Sequence, residues 1–291
     1  MTSRVLITGD NGFTGPYLRS ALELRGYDVI GLSDNRENGK TIDLLDMDTL
    51  DRFCGTSAVD YVIHLAAISF VAHEQTADIY RVNVIGSLNL LRSLSRQKVR
   101  PQKIILASSA NIYGRPSRIP VDELAPPAPL SHYGVSKYSM ELMARIWFDR
   151  LPILIVRPFN YTGVGQSTQF VFAKLAKHFR DRASEIELGD TSVVREFMDV
   201  RDVAEIYANL LESDAASEVV NICSGQGYRL DEIIERLQTT TGLKPLIQRR
   251  DALVRVNDIP ELVGSPQKLQ SIVNRFAFRP LEDTLGWMIG R

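Results

Sequence analysis

The feature that most constrains the fold is a glycine-rich turn between two patterned segments at the start of the chain. Residues 4–8 have the apolar character of a buried strand, and residues 17–25 show a helical pattern. The turn between them is Gly9-Asp10-Asn11-Gly12-Phe13-Thr14-Gly15. Glycines let the backbone turn tightly, approach a pyrophosphate and pack the helix on the strand, while the helix amides face the anion. The G-x-x-G-x-x-G spacing differs from the usual G-x-G-x-x-G, and a turn without a ligand is the alternative.

Short runs of valine, isoleucine and leucine alternate with helical segments up to Asn160. This alternation predicts an α/β fold of Rossmann type, with a doubly wound parallel sheet, and a smaller C-terminal substrate-binding lobe. We expect residues 1–160 to form the dinucleotide-binding domain, with 197–222 returning to it. Residues 161–196 and 223–291 then form the smaller substrate-binding lobe. The predicted elements of the first domain include 28–32, 59–65, 83–95, 103–107, 134–148 and 153–156.

The end of the second predicted strand bears on the choice of cofactor. Ser33, Asp34 and Arg36 lie where such folds contact the adenosine ribose. Asp34 could accept hydrogen bonds from a ribose 2′-hydroxyl, whereas Ser33 and Arg36 could hold a 2′-phosphate. Both NAD(H) and NADP(H) stay open, with NADP(H) slightly favoured. A solvated polar turn is the alternative for any one of these residues.

A tyrosine and a lysine four residues apart form a second candidate site. Residues at this spacing share one face of a helix, so Lys137 can lie close to Tyr133. A neighbouring cation favours the phenolate and lowers the tyrosine pKa from its ordinary value of about 10. The pair suits general acid–base catalysis. Taken alone, however, the spacing is more typical of an ordinary amphipathic helix.

Further motifs accompany the turn and the tyrosine. They are Asp43-Leu44 after the third predicted strand, His64-Leu65-Ala66-Ala67, Asn83, Ser108-Ser109-Ala110-Asn111-Ile112-Tyr113-Gly114 and Arg157-Pro158-Phe159-Asn160. With these motifs the chain resembles, over nearly its whole length, the extended short-chain dehydrogenase/reductase (NAD-dependent epimerase/dehydratase) family that acts on nucleotide sugars.

The resemblance implies a catalytic role for three residues. Tyr133 would be the acid/base, and Lys137 would hold the nicotinamide ribose and lower the tyrosine pKa. Ser109 would hydrogen-bond the reacting sugar oxygen. It is preferred to Ser108 because it lies four residues before Tyr113, where the family places its serine or threonine.

The resemblance also implies a set of cofactor contacts. His64 is expected to be a strand-end residue with its polar groups satisfied rather than a catalyst. The residues expected at the cofactor are Gly9, Gly12, Phe13, Gly15, Ser33, Asp34, Arg36, Asp43, Leu44, Leu65, Ala66, Ala67, Asn83, Tyr133 and Lys137.

Substrate contacts are expected mainly from the second lobe. Arginine's planar fork suits a diphosphate, and Arg255 and Asp258 resemble an R-x-x-E motif with a shorter carboxylate. An ordinary surface ion pair is the alternative for each charge, for example between Arg195 and Glu196. The residues expected at the substrate are Ser69, Ser109, Asn160, Arg195, Arg255 and Asp258.

Three reactions of the family begin with the same geometry: reduction of a 4-keto sugar, NAD-dependent 4-epimerisation of a UDP-hexose, and 4,6-dehydration. Dehydration needs an acidic residue just after the catalytic serine, where this chain has Ala110 and Asn111. It is therefore least favoured, unless Glu141 or another carboxylate reaches the site. A non-catalytic cofactor-sensing regulator is also considered, although the retained serine, tyrosine and lysine argue against it.

Closer resemblance favours reduction. Residues 157–166, 194–203 and 221–225 are similar to GDP-6-deoxy-4-keto-D-mannose reductases, which form GDP-D-rhamnose. Tyr161 stands where those enzymes usually carry histidine, so a dTDP-linked substrate and another hexose configuration stay open.

Composition excludes several other classes of protein. The formal net charge is −1 and no block of like charges occurs, which argues against a nucleic-acid partner. Two cysteines without C-x-x-C spacing and four scattered histidines predict neither a disulfide framework nor a metal site. No apolar run is long enough to span a bilayer, and we expect a cytoplasmic enzyme. The resemblance also implies a homodimer formed through residues 83–95 and 134–148.

Overall fold

The computed structural model describes residues 2–32, 42–69, 75–254 and 258–290. In chain order its strands are β1 (Arg4–Thr8), β2 (Asp28–Leu32), β3 (Tyr61–His64), β4 (Lys103–Ala107), β5 (Ile153–Pro158), β6 (Tyr161–Thr162), β7 (Glu185–Leu188), β8 (Val194–Arg195), β9 (Met198–Asp199), β10 (Glu218–Ile222), β11 (Tyr228–Arg229), β12 (Leu246–Arg249) and β13 (Glu261–Leu262).

The helices alternate with the long strands in the first part of the chain. They are α1 (Gly15–Leu24), α2 (Met47–Thr56), α3 (Thr76–Tyr80), α4 (Ser87–Ser95), α5 (His132–Arg145), α6 (Val171–Arg180), α7 (Val200–Glu212), α8 (Leu230–Thr241), α9 (Gln267–Ile272) and α10 (Leu281–Met288). A π-helical turn at Arg81–Gly86 leads into α4, and 3₁₀ turns occupy Ala110–Tyr113 and Asp251–Leu253. Within the described residues, no helix is both long enough and apolar enough to cross a membrane.

A six-stranded parallel sheet with the order β10-β5-β4-β3-β1-β2 forms the centre of the protein. The chain moves from β1 to β2 on one side and then through β3, β4 and β5 on the other. The direction of winding therefore reverses between β1 and β3, where open α/β sheets bind ligands beyond the carboxyl ends of their strands. The predicted doubly wound parallel sheet is confirmed.

Alternate residues of β1 join two different apolar cores, because successive side chains of a strand point to opposite faces. Val5 and Ile7 pack in a cluster with residues of α1 and α7. Leu6 joins the cluster that contains residues of α2, α4 and α5. Helices thus cover both faces of the sheet, as a parallel sheet with apolar strands requires.

A third apolar cluster lies in the C-terminal part of the chain. Its members come from α6, α8, α10 and the strand β7, which pairs with β12 in a separate two-stranded sheet. In contrast, β10 pairs with β5 at the edge of the central sheet, and α7 packs against α1. The chain therefore returns to the central sheet after leaving it.

Some element boundaries differ from the sequence prediction. The expected helix at 83–95 begins instead as the π-helical turn, and the expected helix at 134–148 runs from His132 to Arg145. The earlier start of α5 has a local cause, because the Ser131 hydroxyl accepts a hydrogen bond from the Gly134 amide at 3.1 Å and caps the helix. The third predicted strand, before Asp43, falls outside the described residues.

One ion pair lies entirely inside the protein. Arg157 of β5 donates to both carboxylate oxygens of Glu141 in α5, at 2.9 and 2.7 Å, and the two side chains are 2% and 0% exposed. A further guanidinium nitrogen donates to the Tyr113 hydroxyl at 2.8 Å, and that hydroxyl donates to the Asn221 side chain at 2.7 Å. The network ties α5, β5, β10 and the 3₁₀ turn after β4 together.

Removing one partner of this pair should be strongly destabilising. Glu141→Gln leaves the buried guanidinium of Arg157 without its counter-charge, so we expect the free energy of unfolding to fall by about 3–5 kcal/mol. Urea denaturation measures the change. Asp181→Asn is the control, because it breaks an exposed pair with Lys177 and should change stability by about 1 kcal/mol or less. Equal losses in the two variants would contradict the role given to the buried pair.

Candidate active site

A cleft of about 1190 Å³ opens beyond the carboxyl ends of the central strands and continues into the C-terminal part of the chain. It is larger than the roughly 300–1000 Å³ of most small-molecule sites, so it has room for two ligands. Of the residues predicted at the site, those that line it are Gly9, Gly12, Phe13, Asp43, Leu44, Leu65, Ala66, Ala67, Ser69, Ser109, Tyr133, Lys137, Asn160, Arg195 and Asp258. Ser33, Asp34, Arg36 and Arg255 lie outside the described residues.

The three glycines of the first turn are needed for different reasons. Gly9 has a φ of +71°, and a Cβ there would lie 2.8 Å from the backbone of Ala66. A Cβ on Gly15 would lie 2.0 Å from the carbonyl oxygen of Asp10. At Gly12 the nearest such atom is the Gly9 carbonyl oxygen at 3.1 Å, and Gly12 lines the cleft. Gly9 and Gly15 thus serve the turn itself, whereas Gly12 leaves a cradle open to a ligand such as a dinucleotide pyrophosphate.

Helix α5 and strand β4 bring Ser109, Tyr133 and Lys137 to one wall of the cleft. Capping by Ser131 places Tyr133 in the first turn of α5 and Lys137 one turn later. Ser109 follows β4 and begins the 3₁₀ turn, where its hydroxyl accepts hydrogen bonds from the backbone and side-chain amides of Asn111, both at 3.1 Å. All three side chains are buried, and Ser109 and Tyr133 both line the cleft.

Burial sets the protonation of the tyrosine and the lysine. It raises the pKa of Tyr133 to about 12, and the Ser109 hydroxyl offsets only part of the increase. Burial also lowers the pKa of Lys137 to about 8, against the opposing effect of the Glu141 carboxylate. The predicted lowering of the tyrosine pKa is therefore wrong for this structure. The physical reason is that the Lys137 ammonium donates to the Ala107 carbonyl oxygen at 2.7 Å, while the phenol loses its solvation.

His64 and Asn83 lie behind the cleft and hold its wall together. The two His64 ring nitrogens are hydrogen-bonded to Thr8 at 2.6 Å and to Ser87 at 2.8 Å, and burial lowers the pKa of His64 to about 3. The ring is neutral and its polar groups are satisfied. The Asn83 side chain binds both backbone groups of Ile68, at 2.9 and 3.1 Å, which fixes the loop after β3.

Strand β6 meets the glycine turn through an aromatic contact. The Tyr161 ring stacks on Phe13 with centroids 5.9 Å apart, and its hydroxyl is 2.8 Å from that of Thr14. In the sequence, Tyr161 stands out only as a departure from histidine. Three further residues that line the cleft were not predicted as site residues: Thr14, Ser108 and Tyr207. The Ser108 hydroxyl is buried and makes no hydrogen bond with the described parts of the chain.

Two of the charged residues predicted at the substrate, Arg195 and Asp258, line the part of the cleft in the C-terminal half of the chain. Arg195 donates to Asp258 at 2.8 Å. Glu196 points away, and its carboxylate accepts hydrogen bonds from the backbone amides of Ser224 and Gly264 at 2.6 and 2.7 Å. Arg195 therefore pairs with Asp258 and not with Glu196, the alternative raised by the sequence, because the Glu196 carboxylate is already engaged by Ser224 and Gly264.

The carboxylate that dehydration would need is not supplied by Glu141. Both of its oxygens accept hydrogen bonds from Arg157 inside the core. Ala110 and Asn111 occupy the positions after Ser109. The wall around Ser109 and Tyr133 therefore offers a neutral phenol and a hydroxyl, which suit proton donation to an oxygen anion.

Comparison with known proteins gives consistent matches. The model of the NAD dependent epimerase/dehydratase family matches residues 5–223. GDP-6-deoxy-D-talose 4-dehydrogenase of Aggregatibacter actinomycetemcomitans is 33% identical over 271 residues, which cover 93% of this chain and 91% of that protein. GDP-6-deoxy-D-mannose reductase of Pseudomonas aeruginosa is 31% identical over 298 residues, which cover 99% and 92%.

Solved structures of related proteins superimpose on nearly the whole chain. RMD from Pseudomonas aeruginosa complexed with NADPH superimposes with a TM-score of 0.88 at 30% identity, covering 100% of this chain and 97% of that one. The UDP-glucose 4-epimerase of Thermus thermophilus in complex with NAD gives a TM-score of 0.85 at 27% identity, covering 99% and 98%.

The glycine turn can be tested with two alanine variants. Gly12→Ala should fold normally and bind NADPH and NADH about 10-fold more weakly or worse, because its methyl group would enter the space that the pyrophosphate must approach. Gly15→Ala should instead lower the unfolding temperature, because its Cβ would clash with Asp10. Fluorescence titration and thermal unfolding give the two readouts. Native affinity in a correctly folded Gly12→Ala variant would remove the turn from the cofactor site.

Proposed function

The chain belongs to the NAD-dependent epimerase/dehydratase family, and from that membership we propose that it reduces the 4-keto group of a nucleotide-linked 4-keto-6-deoxy hexose. Members of this family of extended short-chain dehydrogenases/reductases are NAD(P)-dependent nucleotide-sugar enzymes. The substrate we propose is GDP-4-keto-6-deoxy-D-mannose, which would give GDP-D-rhamnose, or a dTDP-linked equivalent. The observation that carries the proposal is the buried phenol of Tyr133, whose pKa of about 12 keeps it protonated next to Ser109.

In the proposed mechanism Tyr133 is the proton donor. When bound, the reduced nicotinamide supplies the hydride for C4 of the sugar. As the C4 carbonyl gains that electron pair, its oxygen becomes an alkoxide, and the Tyr133 phenol gives it a proton. Ser109 donates a hydrogen bond to the same oxygen and stabilises the developing charge. Lys137 holds the nicotinamide ribose, and its ammonium offsets the charge of the tyrosinate that remains.

Two parts of the cleft are assigned to the two ligands in this proposal. Residues 1–160 with 197–222 hold the cofactor, and the adenine lies near Asp43 and Leu44. NADP(H) is slightly favoured over NAD(H), since Ser33 and Arg36 suit a 2′-phosphate. Residues 161–196 and 223–291 hold the nucleotide sugar. Its contacts are proposed for Ser69, Asn160, Arg195, Arg255 and Asp258.

A nucleotide-sugar 4-epimerase is the second candidate. It is favoured by the likeness to UDP-glucose 4-epimerases, which include the NAD complex from Thermus thermophilus. Both reactions use a hydride and an acid/base on the C4 oxygen, so the buried serine and tyrosine fit either one. The reductase is preferred because the chain is 31% identical to GDP-6-deoxy-D-mannose reductase, in a match that covers 99% of the chain. For the UDP-glucose 4-epimerase of Halalkalibacterium halodurans the identity is 29%, and the match covers 92% of the chain.

Absorbance of the reduced nicotinamide distinguishes these two functions. We expect NADPH or NADH to be consumed in proportion to added GDP- or dTDP-linked 4-keto-6-deoxy hexose. The nucleotide and the cofactor that react faster identify the preferred pair. No consumption with any of these substrates, together with interconversion of UDP-glucose and UDP-galactose, would replace the reductase with the epimerase.

The proton donor is tested by removing its hydroxyl. Tyr133→Phe should lower kcat by a few orders of magnitude, in line with the roughly 10²–10⁴-fold range of general acid catalysis, and leave dinucleotide affinity near that of the wild type. Tyr61→Phe is the control, because the Tyr61 hydroxyl bonds to the exposed Gln102 away from the cleft. Near-normal turnover by Tyr133→Phe would show that another group supplies the proton.

We also propose a cytoplasmic homodimer formed through residues 83–95 and 134–148. Apolar side chains are exposed within these segments: Ile85, Leu142 and Ile146 are 46%, 50% and 77% exposed. A mass measured in solution should be twice that of the 32.6 kDa chain. Leu142→Glu should shift the protein toward the monomer, whereas Leu24→Glu, on α1, should not. A monomeric wild-type protein would contradict the proposed dimer.

A further inference from the structure

Tyr207 of α7 is a buried tyrosine at the cleft whose hydroxyl has no partner among the described residues. The side chain is 1% exposed and lines the cleft, yet its hydroxyl makes no hydrogen bond with any of the described residues. Other buried tyrosines nearby differ: the Tyr113 hydroxyl bonds to Arg157 and Asn221, and that of Tyr161 bonds to Thr14. The small exposed part of the Tyr207 side chain lies at the cleft surface, so its hydroxyl can take a hydrogen-bond partner from solvent or from a bound ligand. Such a group at a binding cleft therefore points to a ligand as its partner.

The position of Tyr207 in the fold indicates which part of a ligand it meets. Helix α7 packs in the core on the same side of the sheet as α1, whereas Tyr133 comes from α5 on the opposite side. Tyr207 is buried together with Phe159, at the carboxyl end of β5. Burial and then the nearby phenols of Tyr161 and Tyr133 raise the pKa of Tyr207 well above its ordinary value. The hydroxyl is thus neutral and close to the acid/base end of the cleft.

We propose that the Tyr207 hydroxyl binds the carboxamide of the nicotinamide ring. The glycine turn accounts for the pyrophosphate and Lys137 for the ribose, so the ring must extend from there to the sugar carbon beside Tyr133. The carboxamide is the ring's hydrogen-bonding substituent, with one acceptor oxygen and two donor hydrogens. A neutral phenol can donate to the oxygen or accept from the amide. A fixed carboxamide sets which face of the ring is presented to the sugar, so Tyr207 is a positioning residue.

The inference rests on the NAD(P) cofactor and is tested by binding without turnover. Tyr207→Phe keeps the ring and removes only the hydroxyl. Because that hydroxyl makes no hydrogen bond within the described structure, the unfolding temperature should be unchanged or higher. Affinity for NADPH and NADH should fall about 3- to 10-fold, as expected for one lost hydrogen bond. Affinity for ADP-ribose and 2′-phospho-ADP-ribose, which lack the nicotinamide, should stay the same.

A matched variant separates a ligand contact from a structural effect. Tyr113→Phe also loses a buried hydroxyl, but one that bonds to Arg157 and Asn221, so it should lower the unfolding temperature. Its relative affinity for the dinucleotides and the truncated probes should not change. The comparison between these probes requires no reaction. Its result is therefore independent of whether the chain proves to be a reductase or an epimerase.

Three results would overturn the assignment of Tyr207. Equal loss of affinity for the dinucleotides and the truncated probes would show that the hydroxyl acts through the fold. No loss for either kind of probe would show that it does not contact the cofactor. A higher KM for the nucleotide sugar, with unchanged dinucleotide affinity, would place the hydroxyl against the sugar instead.

Discussion

The site depends on a charge pair that is completely removed from water. Two charges buried together are stable only when their geometry is good and their remaining donors are satisfied. Arg157 meets both conditions, since it binds both oxygens of Glu141 and also the Tyr113 hydroxyl. Tyr113 ends the turn that Ser109 begins, and Glu141 lies in the helix that carries Tyr133. The pair therefore fixes the two elements that place the serine and the tyrosine side by side.

The same low-polarity environment determines what these groups can do. A phenol with a pKa of about 12 holds its proton at neutral pH, so it is ready to donate one and resists losing it in the absence of an acceptor. Burial shifts the pKa of Lys137 in the opposite direction. It falls to about 8 because the buried ammonium is poorly solvated, and Glu141, one turn along the helix, opposes that decrease. Glu141 thus contributes both to the stability of the core and to the charge of the lysine. An arrangement of this kind favours proton donation to a developing alkoxide, which is the chemistry of ketone reduction.

Much of the fold could be predicted because it is encoded locally. The glycine turn, the apolar strands and the alternation with helices all follow from short-range patterns, and spacing with family resemblance singled out Ser109, Tyr133 and Lys137. The pKa of Tyr133 could not be predicted, since it depends on burial by distant segments. Tyr207 escaped notice for the same reason: it lies in an ordinary apolar stripe of α7, and only the packing of that helix brings it to the cleft. The pairing of Arg195 with Asp258 also joins residues that are far apart in the sequence.

In the proposed reaction a hydride moves from the cofactor to C4 of the sugar and stays there. The most direct test uses NADPH or NADH deuterated at the transferred position of the nicotinamide, with a GDP-linked 4-keto-6-deoxy hexose as substrate and mass spectrometry and NMR of the product. We expect one deuterium on C4 of the sugar for each cofactor oxidised. A product without deuterium at C4, or interconversion of nucleotide sugars with no net oxidation of the cofactor, would contradict it.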